Sequence, residues 1–190
     1  CRLRAVIVAL VAAFGLLTLA TPASAQAGLA GKPLALCIKR ATAGDQAIRQ
    51  FRARFDCTTR QTSFGPGDFW ARSMQLPARA DPLAPAAIRF AATWQKSVTV
   101  YGRYVDGVVV PVTFNNENLS QHMQLGAMVE GVLPGRNTPL KDLLWHIEGS
   151  RNIRGILVGA RIATIAESMR ANLMMAAIYA ATSPSGQILP

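Results

Sequence analysis

Asp142, His146 and Ser150 are the three residue types of a hydrolytic triad, spaced i, i+4 and i+8, and on a helix they would form one row. Acyl transfer by such a set requires hydrogen-bond contact from nucleophile to base and from base to carboxylate. The segment that carries them, Leu140 to Glu148, reads as a strand, where four residues span about 13 Å, so the three groups are not expected to touch. His146-Ile147-Glu148 has the H-x-E order of zinc deaminases, but the Pro-Cys-x-x-Cys that completes their metal set is absent. His122 and His146 stand far apart and are expected to be structural, so no metal is assigned. No Gly-rich phosphate loop, Walker motif or dinucleotide fingerprint occurs, and no catalytic residue or cofactor is expected.

Binding is the chemistry that the remaining residues favour. Trp94, Tyr101, Tyr104 and Trp145 lie on or beside expected strands, with Gln95, Arg103, Asn116 and His146 as polar neighbours. Aromatic rings flanked by polar groups on a sheet face stack on sugars and other flat ligands. The candidate ligand-binding residues are therefore Trp94, Tyr101, Arg103, Trp145 and His146, with core packing as the competing fate of each ring.

The elements that must position them are read from alternation. Ser97 to Tyr104 and Val108 to Phe114 form two β-runs joined by Asp106-Gly107, where Gly supplies the positive φ of a tight hairpin turn. Val98, Val100 and Tyr104 share one side of the first run; Thr99, Tyr101 and Arg103 share the other. Further strands are expected over Pro33 to Ile38, Phe69 to Leu76, Ala86 to Thr93, Leu125 to Leu133, Leu140 to Glu148 and Gly155 to Ala160. In the second of these, Trp70, Met74 and Leu76 have one parity and are expected to enter the core together, with Arg72 at its edge. Ala43 to Asp56 is expected to hold a short surface helix capped by Asp45, and Asn115 to His122 to be turn. Short strands separated by Gly, Pro and Asn clusters argue for an all-β sandwich or jelly roll rather than an α/β sheet.

Thr164-Ile165-Ala166-Glu167 is a capping box that opens a C-terminal helix through Met169, Leu173, Met174, Ile178 and Tyr179. From Ala171 to Ala181 it is nearly all apolar, too short to span a bilayer, which takes about twenty residues. A membrane-entering helix is expected over 164–181 and a divergent tail over 182–190, with packing against the sheet as the alternative.

At the other end, Arg2 and Arg4 precede the apolar run Ala5 to Ala20 and the small-x-small sequence Ala23-Ser24-Ala25, the plan of a signal peptide over 1–25. The competing reading is an uncleaved membrane anchor. Export makes a disulfide between Cys37 and Cys57 the expected state of the two cysteines beyond the leader. Lysine and arginine number 20 against 10 acidic residues, a net charge of +10 that suits an anionic partner. The basic residues are scattered, with only Arg49, Arg52, Arg54 and Arg60 loosely grouped, and no nucleic-acid-binding motif accompanies them, so nucleic acid is not an expected partner.

Phe69-Trp70-Ala71-Arg72 is followed by Arg89-Phe90-Ala91-Ala92-Thr93-Trp94-Gln95-Lys96 leading into Val98-Thr99-Val100-Tyr101, then by Leu125-Gly126-Ala127, Leu143-Leu144-Trp145-His146-Ile147-Glu148-Gly149 and Gly155-Ile156. In that order, from about Pro33 to Ala181, the chain resembles the second type of extracellular domain of bacterial seven-transmembrane receptors with diverse intracellular signalling modules (DISM), in the versions found upstream of diguanylate cyclases. The resemblance implies a jelly roll similar to carbohydrate-binding modules over 26–163, and a sensory, non-enzymatic role on the periplasmic side of the inner membrane. The rest of the receptor and its cyclase are absent from this chain, which reads as truncated near the first membrane helix. The partners implied are an unidentified small molecule, with carbohydrate as one class, the membrane through the C-terminal helix, and a second copy of the chain as a homodimer. A protein-interaction or structural β-domain is the alternative, and a hydrolase using His146 a third.

Overall fold

The computed structural model describes residues 30–91 and 95–182. The expected signal peptide over 1–25, Trp94 and the tail beyond Thr182 lie outside the described residues. In chain order the strands are β1 (Lys32–Pro33), β2 (Leu36–Arg40), β3 (Gly67–Ser73), β4 (Ala86–Ala91), β5 (Ser97–Tyr104), β6 (Val109–Asn115), β7 (Met123–Gln124), β8 (Met128–Leu133), β9 (Leu140–Ser150) and β10 (Arg161–Thr164). The helices are α1 (Ala47–Gln50), α2 (Leu119–His122) and α3 (Ile165–Thr182), with a 3-10 turn over Gln61–Phe64. The strands form two antiparallel five-stranded sheets, β1-β10-β4-β8-β7 and β2-β3-β9-β5-β6. This is the all-β sandwich expected from the punctuated short strands. The chain crosses between sheets again and again, from β3 to β4, β4 to β5, β8 to β9 and β9 to β10, so neither sheet is built from one stretch of sequence.

The hairpin is as its alternation dictates. Val98 pairs with Phe114 and Arg103 with Val109. Gly107 takes φ 85°, and the Asp106 carboxylate accepts the Val108 N–H at 3.0 Å, which closes the turn. Val98, Val100 and Tyr104 are buried, while Thr99, Tyr101 and Arg103 face outward. β9 lies between β3 and β5 and sends Leu143, Trp145 and Ile147 inward to meet Ile88, Phe90, Val129 and Leu133 of the other sheet. Phe90 and Phe114 meet edge to face across this layer, with ring centroids 5.3 Å apart. Gly102 continues the inward parity of β5, and a Cβ there would stand 2.7 Å from Leu133 Cδ1, so a larger residue would have to displace the Leu133 side chain that packs over this point.

Several expectations are corrected. Pro33 to Ile38 is two strands, β1 and β2, in different sheets. Gly155 to Ala160 is an irregular loop that buries Ile156 and Leu157, and the last strand follows it as β10. Apolar content marked its burial, but the positive φ of Gly155 and Gly159 is incompatible with an extended run. Leu125 to Leu133 is interrupted by a turn at Gly126 and Ala127, both with positive φ, and Leu119–His122 forms a helical turn inside the segment read as loop. Within Ala43 to Asp56 only Ala47–Gln50 is helical, and Asp45 accepts the Thr42 N–H instead of capping it. The shared parity of Trp70, Met74 and Leu76 does not make them core partners: Met74 is exposed and Trp70 is buried on the opposite face of the sheet, while Phe69 and Ala71 face the other sheet.

Cys37 in β2 is bonded to Cys57, a separation of 20 residues. By the chain-entropy account a loop of that length is worth about 3 kcal/mol, so the double variant Cys37→Ser/Cys57→Ser is expected to lose about that much on urea unfolding. A loss under about 1 kcal/mol would show that the loop restricts the unfolded chain far less than its length implies.

The capping box forms as read: the Glu167 N–H donates to Thr164 Oγ1 at 3.1 Å and the Thr164 N–H donates to Glu167 Oε2 at 2.8 Å. α3 begins against the outer face of the first sheet, where Ser168 and Ala171 are buried, and Met169, Leu173, Met174 and Tyr179 are exposed. Among the described residues no helix is long and apolar enough to cross a membrane.

Candidate functional site

The outer face of the second sheet gathers most of the residues singled out above. Register alone sets one row across it: Lys39 beside Trp70, Trp70 beside His146, His146 beside Thr99, and Thr99 beside Thr113. Trp70 and His146 stack, with ring centroids 4.2 Å apart and planes 23° from parallel, and Tyr101 leans on Trp70 at 6.0 Å. The Trp70 indole N–H donates to Asp45 Oδ2 at 3.1 Å, which ties the platform to the loop that carries α1. Asp45 also accepts the Thr42 N–H, and that backbone hydrogen bond holds its carboxyl below the ordinary carboxylate range. The Thr99 and Thr113 hydroxyls lie 3.0 Å apart at the far end of the row.

Beside this row lie Glu148, Ser97 and Asn115, paired across β9, β5 and β6. Ser97 Oγ donates to Glu148 Oε2, and Glu148 Oε1 stands 3.9 Å from His146 Nδ1. Burial, and after it the nearby Glu148 charge, pushes the Tyr101 phenol above its ordinary range, so it remains a neutral hydrogen-bond donor. A cleft of about 410 Å³ opens over Ser97, Thr99 and Thr113 and is closed at its sides by Lys96, Asn116, Glu117 and Glu148. Each residue that lines it has a polar side chain, and they come from β5, β6, β9 and the turns that follow β6 and precede β5.

Of the candidates named from the sequence, Tyr101, Arg103 and His146 share this face. His146 is partly open, at 24% side-chain exposure, and Tyr101 is half-buried. Arg103 is committed elsewhere: its Nε donates to Asp142 Oδ2 at 2.9 Å, Arg72 reaches the other oxygen of the same carboxylate, and the Arg103 guanidinium caps the Phe51 ring at 4.6 Å. Trp145, expected on the ligand face, is fully buried in the core, because the strand alternation that turns His146 outward turns Trp145 inward. Tyr104 is also inward and donates its hydroxyl to the Pro134 carbonyl at 2.5 Å. Trp94 lies outside the described residues.

Asp142, His146 and Ser150 do lie on one strand, and they do not assemble. Asp142 is held by two arginines, His146 stacks on Trp70, and Ser150 is buried beyond the positive-φ Gly149. Among the described residues no three His, Cys, Asp or Glu side chains group as a metal set. The residues that sequence reasoning missed are Trp70, Lys96, Ser97, Thr113, Glu117 and Glu148. The polar parity of Thr99 pointed to their face, but the register that brings the others beside it cannot be read from one strand.

The arrangement offers hydroxyl, amide, ammonium and carboxylate groups around one opening, beside a partly exposed aromatic platform. That is equipment for holding a small polar molecule. No protein-family model matches the chain, and no curated protein matches it significantly.

Proposed function

We propose that this chain is the periplasmic ligand-sensing domain of a membrane-bound signalling receptor, with the cleft over Ser97, Thr99 and Thr113 as its binding site. The observation that carries the reading is that cleft. Over Trp70 and Arg103 the outer face of the second sheet is covered by its own chain, through Phe51 and Asp45, whereas here polar side chains line an uncovered opening. The likeness to the extracellular domains of DISM receptors supplies the rest of the proposal: a jelly roll of the carbohydrate-binding-module kind, export to the periplasm, and a diguanylate cyclase as the output of the complete receptor. α3 is the element through which ligand binding would be passed on. Lys96 and Ser97 of the cleft follow, after a short connection, the strand whose Arg89 holds α3, so a ligand that shifts this segment biases the seating of the helix.

The test is a thermal-shift screen of the purified chain against sugars and small polar metabolites, beside the variant Thr99→Trp, which fills the cleft from an outward position. A compound that raises the melting temperature of the parent but not of the variant supports the reading. A flat screen on well-folded protein transfers weight to a protein-interaction domain, the reading that the exposed Met169, Leu173, Met174 and Tyr179 of α3 favour.

A further inference from the structure

The chain has 10 acidic side chains beside 20 basic ones, and what answers each carboxylate can be traced. Four are paired with Lys or Arg: Asp45 with Lys39, Asp106 with Arg136, Asp142 with Arg72 and Arg103, and Glu130 with Arg89. Another four accept backbone N–H groups: Asp56 from Thr58 and Thr59, Asp68 from Gly149, Asp81 from Leu83 and Ala84, and Glu167 from Thr164. The remaining two, Glu117 and Glu148, have neither kind of partner among the described residues, and both line the cleft. Glu148 accepts only the Ser97 hydroxyl and lies near the His146 ring, and Glu117 accepts nothing. Lys96, on the same rim, likewise has no charged partner among the described residues.

We infer that the ligand of this cleft is a small zwitterion, an α-amino acid or a close relative of it, whose ammonium group sits between Glu148 and Glu117 and whose carboxylate faces Lys96. The inference rests on the cleft being the ligand site proposed above. A neutral sugar would use the hydroxyls and amides but would leave two carboxylates and an ammonium without counter-charges. A plain amine would leave Lys96 unanswered, and a plain anion would meet the two carboxylates. The three charges come from separate elements: Lys96 precedes β5, Glu117 follows β6, and Glu148 lies near the end of β9. A bound molecule carrying both signs can therefore bridge groups that do not reach one another.

Isothermal titration calorimetry on the full chain decides this with four kinds of probe: the proteinogenic amino acids, their carboxamides, their N-acetyl derivatives, and neutral monosaccharides. The expected result is saturable binding of one or more amino acids, weakened about tenfold to a hundredfold by either cap. Glu148→Gln is expected to weaken the free amino acid by about tenfold or more, and Lys96→Met to do the same while leaving the carboxamide unchanged. Both residues are at the surface, and an unchanged circular dichroism spectrum confirms that each variant is folded. Binding that survives capping of the carboxylate overturns the zwitterion. Binding of monosaccharides without amino acids overturns it too, and leaves the cleft a ligand site. Absence of binding by every probe overturns the inference, while the broader thermal-shift screen still decides the sensor reading.

Discussion

Arg89→Ala is expected to cost about 3–5 kcal/mol and to free α3 from the sandwich. Arg89 is fully buried on β4, on the outer face of the first sheet, and desolvation there depresses its guanidinium pKa. It survives because both Nη groups are answered and a carboxylate stands close: Nη1 donates to Ser168 Oγ at 3.1 Å, Nη2 donates to Asn172 Oδ1 at 3.0 Å, and Nε, which makes no hydrogen bond among the described residues, lies at ion-pair distance, 3.6 Å, from Glu130 Oε2. Ser168 and Asn172 also donate to Glu130 Oε2, so one carboxylate and one guanidinium hold both of these α3 side chains. Little apolar packing backs this up, since the buried residues of α3 are only Ser168 and Ala171. The alanine leaves Glu130 without its cation and takes the Arg89 donors from Ser168 Oγ and Asn172 Oδ1, the condition under which loss of one member of a buried pair is most damaging. Urea unfolding gives the stability, and trypsin cleavage at Arg170 reports the release of the helix. The double variant Arg89→Met/Glu130→Leu separates charge from volume: it is expected to recover most of the stability, because no charge is then left unpaired. A parent-like midpoint for Arg89→Ala, with Arg170 still protected, would show that α3 is held by something other than this network.

Arg89 also marks where sequence reading stops. Its strand was legible, but a cation in the middle of an apolar run says only that it points away from the core, and the residues that answer it lie far along the chain on α3. The β5–β6 hairpin and the capping box were legible because their information is local: alternation, Asp-Gly, and Thr followed three residues later by Glu. β3 misled for a physical reason. Phe69, Trp70 and Ala71 are all buried, since one face meets the other sheet and the opposite face meets Phe51 and the loop carrying α1. A strand covered on both sides loses the period of two, and parity no longer names the core. The cleft was illegible for the same kind of reason. Lys96, Glu117 and Glu148 are brought together only by β5 pairing with both β6 and β9, a register that no segment carries alone.

Trp70→Ala is expected to lose about 3–5 kcal/mol, comparable to the loss at Arg89 although the residue lies outside the main core. Trp70 is 2% exposed and forms, with Phe51 and Leu144, a second apolar cluster beneath His146 and Tyr101. Its removal opens a cavity whose ceiling is that ring pair, and the loop from Ala41 to Phe55 loses both its packing and the Asp45 hydrogen bond. Trp70→Phe keeps most of the ring area and gives up the indole N–H, so a loss of about 1–2 kcal/mol is expected from it. Asp45→Ala should then be less than additive with Trp70→Phe, because both remove the same hydrogen bond. Calorimetric unfolding measures the parent, the three single variants and the double variant. If Trp70→Ala melts with the parent, the platform contributes nothing to the fold and the cluster is wrongly assigned. If it melts early while Trp70→Phe keeps the ligand affinity of the cleft, Trp70 acts as a positioning residue: it sets the tilt of His146 beside Glu148 through stacking, and takes no part in contact with the ligand.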